Sequence, residues 1–285
     1  KIQCYRSTFI SHHSRGNCHV GVLKALEENN IKVAAIAGTS AGSIIATLYA
    51  MGYSPYYIYL LFKRYARDII NIRSKPIING ITNFIRNNKI GIAGLSDGNE
   101  FEKMYDELAR KKGFRLIGDI KMPLLVSAVD IGESKEYIFT NCASRKNIKD
   151  NYITEIGIGR AVRASSSFPA IFCPCEYKNH IFMDGGVLNN LPTEELKKVY
   201  TGKIISVNFE SDPVYNDYDI MNIIMKTLDI MGNKLSINSL KKSDFVLTVP
   251  TDGTGLIDVD KMDICYKYGY EIAIKNIDKI RKMLE

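Results

Sequence analysis

The stretch VAAIAGTSAGSIIATLYAMG, residues 33–52, decides the fold, because an apolar strand turns directly into an apolar helix. We predict the strand over residues 31–38 and the helix over 41–52, where Gly52 ends it. Ser40 stands between them, at the carboxyl end of the strand, where functional residues gather in α/β sheets. The first question is whether Ser40 is a nucleophile or a helix cap.

The rest of the chain repeats the alternation of strands and helices. We predict strands at 5–10, 123–131, 203–209 and 244–250 and amphipathic helices at 19–30 and 260–285. Such alternation implies a central, mostly parallel sheet flanked by helices. No internal repeat or linker divides the 285 residues, so we expect one α/β domain over residues 1–285.

One segment, residues 54–96, departs from this pattern and predicts a helical cap insertion. Residues 69–96 carry no acidic side chain. The preceding stretch combines aromatic or apolar and basic side chains, which are typical of an element that lies at a membrane surface. These are Tyr56, Tyr57, Tyr59, Leu60, Phe62, Lys63, Arg64 and Arg67. The alternative is a core helix with a solvated basic face.

Composition narrows the class of protein. No apolar run reaches the roughly 18–20 residues that a bilayer crossing requires. The net charge of +7 favours an anionic surface such as phospholipid, and no basic block or basic-aromatic repeat suggests nucleic acid. The six cysteines form no CxxC pair, which predicts free thiols in a cytoplasmic protein, peripheral at the membrane, and no zinc site. Because the chain begins with Lys1, a removed leader and secretion stay open.

Glycines flank Ser40 at positions 38 and 42. Without Cβ atoms they avoid collisions between the strand and the helix, and we expect one or both to adopt a positive φ. The Ser40 hydroxyl would then be exposed beside the free N–H groups of the helix N-terminus, which suits an anionic tetrahedral intermediate. The alternative is an N-cap serine with small neighbours.

A nucleophilic serine needs a base. The only histidine after Ser40 is His180, beside Lys178 and Asn179, and we interpret it as an exposed residue of a hairpin turn. Asp184 instead closes an apolar strand and precedes Gly185 and Gly186, so its carboxylate can turn into a pocket. The alternative for Asp184 is the common Asx turn.

Together the two windows resemble the patatin-like phospholipases, lipid acyl hydrolases that use a Ser–Asp dyad. The resemblance is carried by Gly38-Thr39-Ser40-Ala41-Gly42-Ser43, by Asp184-Gly185-Gly186, and by weaker matches that include residues 127–139 and 163–172. It implies Ser40 as the nucleophile and Asp184 as the base, with no metal and no cofactor. It also implies a phospholipid or other lipid ester as the substrate, with transient contact to a membrane surface.

The family's glycine-rich loop, G-G-G-x-[RK]-G, supplies the oxyanion hole, which the resemblance places at His12, His13, Arg15 and Gly16. Arg15 and Gly16 match the end of that motif, whereas residues 11–14 read Ser-His-His-Ser where glycines are expected. Two hypotheses follow: a hydrolase of the phospholipase A or lysophospholipase type, and a catalytically silent lipid-binding protein. A nucleotide-binding domain is a third, but both glycine-rich phosphate motifs are absent from the sequence.

Overall fold

A mixed β-sheet forms the centre of the protein in the computed structural model, which describes residues 5–9, 16–72, 96–142, 150–169, 172–210, 220–250 and 262–285. Its strands are β1 (Tyr5–Phe9), β2 (Val33–Thr39), β3 (Leu124–Asp130), β4 (Lys135–Thr140), β5 (Tyr152–Ile153), β6 (Cys175–Tyr177), β7 (His180–Asp184), β8 (Lys203–Phe209) and β9 (Phe245–Val249). The main path runs β5-β4-β3-β2-β1-β8-β9, and the β6–β7 hairpin joins it through β3.

Helices flank this sheet. They are α1 (Gly16–Glu28), α2 (Ala41–Ala50), α3 (Pro55–Ile72), α4 (Asn99–Lys111), α5 (Ile158–Ser165), α6 (Thr193–Val199), α7 (Ile220–Lys241), α8 (Met262–Lys275) and α9 (Ile277–Leu284). Strands β3, β2, β1, β8 and β9 run parallel, while β4 and β7 run antiparallel to β3. The predicted α/β fold with a mostly parallel sheet is confirmed.

Strand β2 shows why the sheet is covered on both sides. Successive side chains of a strand point to opposite faces. Ala35 and Ala37 belong to a cluster with Leu196 and Val199 of α6, whereas Ile36 belongs to the larger core that holds α1 and α2. All five of these apolar β2 and α6 side chains are buried, so the strand is apolar from Val33 to Gly38 rather than alternating.

The C-terminal region differs from the prediction of one helix over 260–285. It forms α8 and α9, separated at Asn276. The Asn276 side chain donates a hydrogen bond of 2.9 Å to the carbonyl oxygen of Ile272, and its backbone N–H bonds to Ala273. An asparagine that satisfies backbone groups in this way interrupts a helix.

Helix α8 crosses α1 at close range because glycines stand at the contact. A Cβ atom on Gly21 would lie 2.1 Å from the carbonyl oxygen of Tyr266, and one on Gly269 would lie 1.9 Å from that of Cys18. Both obstacles are backbone atoms, which cannot move aside as a flexible side chain does. The two helices can therefore approach this closely only with glycine at both positions.

We expect Gly21→Ala to lower the free energy of unfolding by about 2 kcal/mol or more, since α1 and α8 must separate to admit the methyl group. Thermal melting of the purified chain measures this. Gly157→Ala is the matched control, because its Cβ would meet no atom nearer than 3.9 Å. Equal melting temperatures for Gly21→Ala and the wild type would contradict the close crossing.

The predicted cap insertion at 54–96 is described only in part. Residues Pro55–Ile72 form α3, and residues 73–95 lie outside the described residues. Among the helices that the structure describes, none combines the length and the apolar composition that crossing a bilayer requires.

Candidate active site

Ser40 occupies the single position between β2 and α2, with φ of 54° and ψ of −126°. This is unfavourable for a residue that carries a Cβ atom. Neither Gly38 nor Gly42 has a positive φ, so that expectation is wrong and the strain lies on the serine itself. Gly38 provides space instead, since its Cβ would lie 2.4 Å from the carbonyl of Gly42.

The Ser40 hydroxyl does not cap α2. It forms no hydrogen bond with the first turn, so the N-cap interpretation is wrong. Three other serines hold the Ser40 backbone: its N–H donates to Ser165 Oγ at 3.1 Å, and its carbonyl oxygen accepts from Ser43 Oγ at 2.6 Å and Ser166 Oγ at 3.3 Å. We expected the Ser40 hydroxyl to be exposed, but the residue is buried, with only 2% of its surface accessible.

Strand pairing along one edge of β3 brings the Ser40 turn to the Asp184 turn. Parallel strand β2 pairs with β3 up to Thr39, which lies opposite Ser127. Antiparallel strand β7 approaches from the other end and stops at Asp184, which lies opposite Ala128. Since Ser127 and Ala128 are neighbours, the carboxyl ends of β2 and β7 meet.

The two oxygens of the Asp184 carboxylate have different surroundings. Oδ1 accepts a hydrogen bond of 2.8 Å from the N–H of Gly186, at the start of the short 3₁₀ turn Gly185–Val187. The Asx-turn interpretation is therefore confirmed for one oxygen. Oδ2 and the Ser40 hydroxyl are both buried, and neither has a hydrogen-bond partner of ordinary geometry within the described part of the chain.

Burial raises the pKa of Asp184 from 3.8 to about 7. The nearby Ser40 hydroxyl and the N–H of Gly186 lower the pKa, but they offset only part of the desolvation. The carboxylate is 3% exposed and has no cationic side chain among the groups that shift its pKa. Such a group takes up and releases a proton near neutral pH.

A hydrogen-bonded chain braces the two turns against each other. Thr39 Oγ1 donates to the carbonyl oxygen of Asn189 at 3.0 Å, and Asn189 Nδ2 donates to Glu136 Oε1 at 2.8 Å. Ser127 Oγ donates to the same Glu136 oxygen at 2.7 Å. A Cβ on Gly185 would lie 2.4 Å from the carbonyl oxygen of Ser127, so the Asp184 turn rests directly on β3.

Glu136, at the centre of this chain, is a second carboxyl group with a raised pKa. Desolvation raises its pKa to about 7 and the charge of Glu195 adds to the effect, while the hydrogen bonds from Ser127 and Asn189 lower it. Sequence reasoning missed Glu136, Asn189 and the serines at 165 and 166. Their only signal was that they lie in stretches that resemble the family, because their partners are far away in the chain.

His180 begins β7 directly after the turn at Lys178, where φ is 52°, as expected for a hairpin. The side chain is 22% exposed rather than fully exposed, because its Nδ1 bonds to Asp130 Oδ2 at 2.6 Å. The His180 ring is thus hydrogen-bonded to the carboxylate of Asp130. Asp130, Glu133 and His180 each offer one atom that could bind a metal ion, and these atoms lie within 4.8 Å of one another. The second Asp130 oxygen, however, already accepts hydrogen bonds from two backbone N–H groups. Hydrogen bonds of Asp130 to His180, Gly132 and Glu133 account for this cluster.

The residues expected to form the oxyanion hole are described only at their end. His12, His13 and Arg15 lie outside the described residues. Gly16 begins α1 and is buried, and a Cβ there would lie 2.4 Å from the Phe62 ring of α3.

Comparison with known proteins finds relatives whose names refer to lipid hydrolysis. The chain is 26% identical over 288 residues to Lysophospholipase NTE1 of Meyerozyma guilliermondii, covering 91% of this chain but only 18% of that protein. It is 30% identical over 215 residues to Probable lipid hydrolase 463L of Invertebrate iridescent virus 6, covering 71% and 67% of the two chains. The chain therefore spans less than a fifth of the yeast relative.

Solved structures share the fold. VipD from Legionella pneumophila superposes with a TM-score of 0.51 at 12% identity, over 97% of this chain and 67% of that one. ExoU, in its complex with SpcU from Pseudomonas aeruginosa, gives 0.50 at 17% identity, over 97% and 51%. The sequence pattern of the Patatin-like phospholipase family matches residues 14–197, a span that holds both turns. Since that span is more than half of the chain, the protein belongs to the patatin-like phospholipase family.

Proposed function

We propose that the protein is a lipid acyl hydrolase of the phospholipase A or lysophospholipase type, with Ser40 as the nucleophile and Asp184 as the base. Membership of the family and the names of the relatives support lipid ester hydrolysis. One observation carries the residue roles. Asp184 Oδ2 and the Ser40 hydroxyl are buried next to each other, and neither has another partner among the described residues.

In the first half of the proposed reaction, Ser40 Oγ attacks the carbonyl carbon of the lipid ester while its proton passes to Asp184 Oδ2. The tetrahedral intermediate collapses, the C–O bond to the alcohol breaks, and the Asp184 proton goes to the leaving oxygen. An acyl-enzyme and a free alcohol result. The N-terminus of α2, beginning at Ala41, directs its positive dipole end toward the developing negative charge.

In the second half, water attacks the acyl carbon. Asp184 accepts a proton from this water and then returns one to Ser40 Oγ as the acyl–oxygen bond breaks, which releases the fatty acid. A base with a pKa near the working pH transfers protons most effectively in both directions. The pKa of about 7 at Asp184 supports this role.

The proposal is tested by reacting the folded chain with a fluorophosphonate probe and locating the adduct by mass spectrometry. We expect one adduct, on the peptide that contains Ser40. An adduct on another serine would refute the assignment. A folded chain that forms no adduct would instead favour the silent lipid-binding hypothesis, which is supported by the Ser-His-His-Ser sequence at 11–14.

Contact between α3 and a lipid surface stays a proposal, but the structure narrows its residues. Tyr56, Tyr57 and Leu60 are 59%, 39% and 44% exposed, which supports the interfacial hypothesis. Phe62 is buried in the core, and Lys63 is 2.7 Å from Asp263 of α8, which supports the core-helix alternative. Each interpretation therefore applies to a part of the helix.

A further inference from the structure

Helix α7 exposes apolar side chains to the surface. A helix on the surface of a globular protein normally turns its apolar side chains inward. Among the α7 side chains that the structure describes, the fully buried positions are small or polar, namely Gly232, Ser236 and Ser239, while Leu240 is partly buried against the core. The exposed apolar side chains are Ile223, Ile230, Met231, Leu235 and Ile237, between 43% and 59% exposed. We call the three isoleucines, with the exposed Lys234 and Lys241, the α7 face.

The α7 face forms one side of the helix. Ile223, Ile230 and Ile237 recur at seven-residue intervals, two helical turns apart, and Lys234 and Lys241 lie along the same line. The described part of the chain leaves this line of isoleucines exposed. Clustered exposed apolar side chains on one surface mark an interaction site, whereas single ones are common everywhere.

The buried side of α7 packs on the loop that follows the Asp184 turn. A Cβ on Gly232 would lie 3.2 Å from Asn190 Nδ2, and the same amide lies 3.5 Å from Ser236 Oγ. Asn190 is 4% exposed and stands six positions after Asp184. The same loop exposes Leu188 at 43%. The helix that carries the α7 face is therefore seated against the loop that follows Asp184.

The charge of α7 indicates which partner binds this face. The sequence of α7 contains Lys226, Lys234 and Lys241 but only one acid, Asp229. Lys242 follows, but its ammonium pairs with Glu194. A second copy docking symmetrically on this face would bring a net positive helix against its equal. The phosphates of a phospholipid surface would attract it, with apolar side chains entering the acyl boundary and lysines remaining at the head groups.

We propose that the α7 face is the surface by which this protein docks on phospholipid bilayers. This inference rests on the proposed lipid hydrolysis for its purpose. The binding itself involves no chemical step, so it is measured separately from turnover.

Vesicle co-sedimentation of the full chain tests the inference, with Ser40→Ala introduced to exclude hydrolysis. The vesicles contain phosphatidylcholine alone or mixed with phosphatidylserine. We expect the double variant Ile230→Ser, Ile237→Ser to weaken binding by at least about tenfold. Lys234→Gln is expected to weaken it only on the anionic vesicles. Ile264→Ser on α8, where the isoleucine is 42% exposed, is the matched control and should bind as the parent does.

Activity and oligomeric state separate the remaining outcomes. With Ser40 intact, the double variant should hydrolyse a monomeric short-chain ester like the wild type and lose activity on vesicles. Unchanged vesicle binding by the double variant overturns the docking surface while the hydrolase proposal stands. Weakened binding by a chain that hydrolyses no ester supports the surface and refutes the hydrolase. Dimers in light scattering that the double variant abolishes, with vesicle binding retained, assign the face to a second copy and overturn the inference.

Discussion

Replacing Ser40 by alanine is expected to lower the turnover of a lipid ester by at least about 10³-fold, because the proposed acyl-enzyme has no other oxygen on which to form. The loss should appear in kcat with little change in KM, since the methyl group removes the nucleophile and leaves the pocket intact. Steady-state hydrolysis of a monomeric ester measures both quantities.

Ser206→Ala is the control for this variant. Ser206 is also a buried serine, and its hydroxyl bonds to that of Ser243 at 2.6 Å in a different part of the sheet. The Ser206→Ala variant should hydrolyse the ester at the wild-type rate. The Ser40→Ala chain should remain folded, because the backbone N–H and carbonyl that hold this turn are unchanged. Residual turnover within about tenfold of the wild type would mean that another group is the nucleophile.

Asp184→Asn is expected to reduce turnover by about 10²–10⁴-fold, the usual contribution of a general base. The amide is nearly isosteric and its oxygen can keep the hydrogen bond from Gly186, so the turn should persist while proton transfer is lost. In the wild type, activity should rise with pH through about 7, as the Asp184 carboxyl loses its proton.

Glu136 is the competing explanation for that pH dependence, because its pKa is also raised to about 7. The variant Glu136→Gln decides between the two carboxyls. If the rise in activity near pH 7 persists in Glu136→Gln, it belongs to Asp184. If the rise disappears, the assignment to Asp184 is wrong and Glu136 controls the site through Asn189 and Ser127.

The Asp184 carboxyl should also make the wild type less stable at high pH. The folded state raises the pKa of Asp184, so it binds the proton more tightly than the unfolded chain, and stability falls as pH rises from about 4 to above about 7. An asparagine side chain does not ionise, so the Asp184→Asn variant does not lose stability in this way. The stability of Asp184→Asn relative to the wild type should therefore grow across that window, by up to the order of 4 kcal/mol.

Melting temperatures of the two chains across this pH range test the stability prediction. A constant difference between them would show that the Asp184 carboxylate is well solvated, which would also remove the argument for its role as a neutral-pH base. A buried, unpaired carboxyl that weakens the fold is expected where function requires it.

The local elements were predictable from sequence because each depends on residues a few positions apart. The apolar run before Gly38 and the small apolar residues after Ser40 predicted β2 and α2. The apolar residues before Asp184 and the two glycines after it predicted the end of β7. The resemblance joined these windows in one family, and the family match confirms it.

The tertiary structure alone decided how these elements meet. No sequence pattern indicated that β2 and β7 end at adjacent residues of β3, since strand pairing depends on packing between segments far apart in the chain. The tertiary structure also places the positive φ on Ser40 rather than on a glycine, and it brings His180 into hydrogen-bonding contact with Asp130.

Sequence by itself thus determined the fold class and the two turns, because hydrophobic periodicity and glycine are local signals. Tertiary structure decided burial, and with it the raised pKa of Asp184, the bracing through Glu136 and the outward apolar side of α7. Burial depends on what every other segment covers, and no single stretch of the chain contains that information.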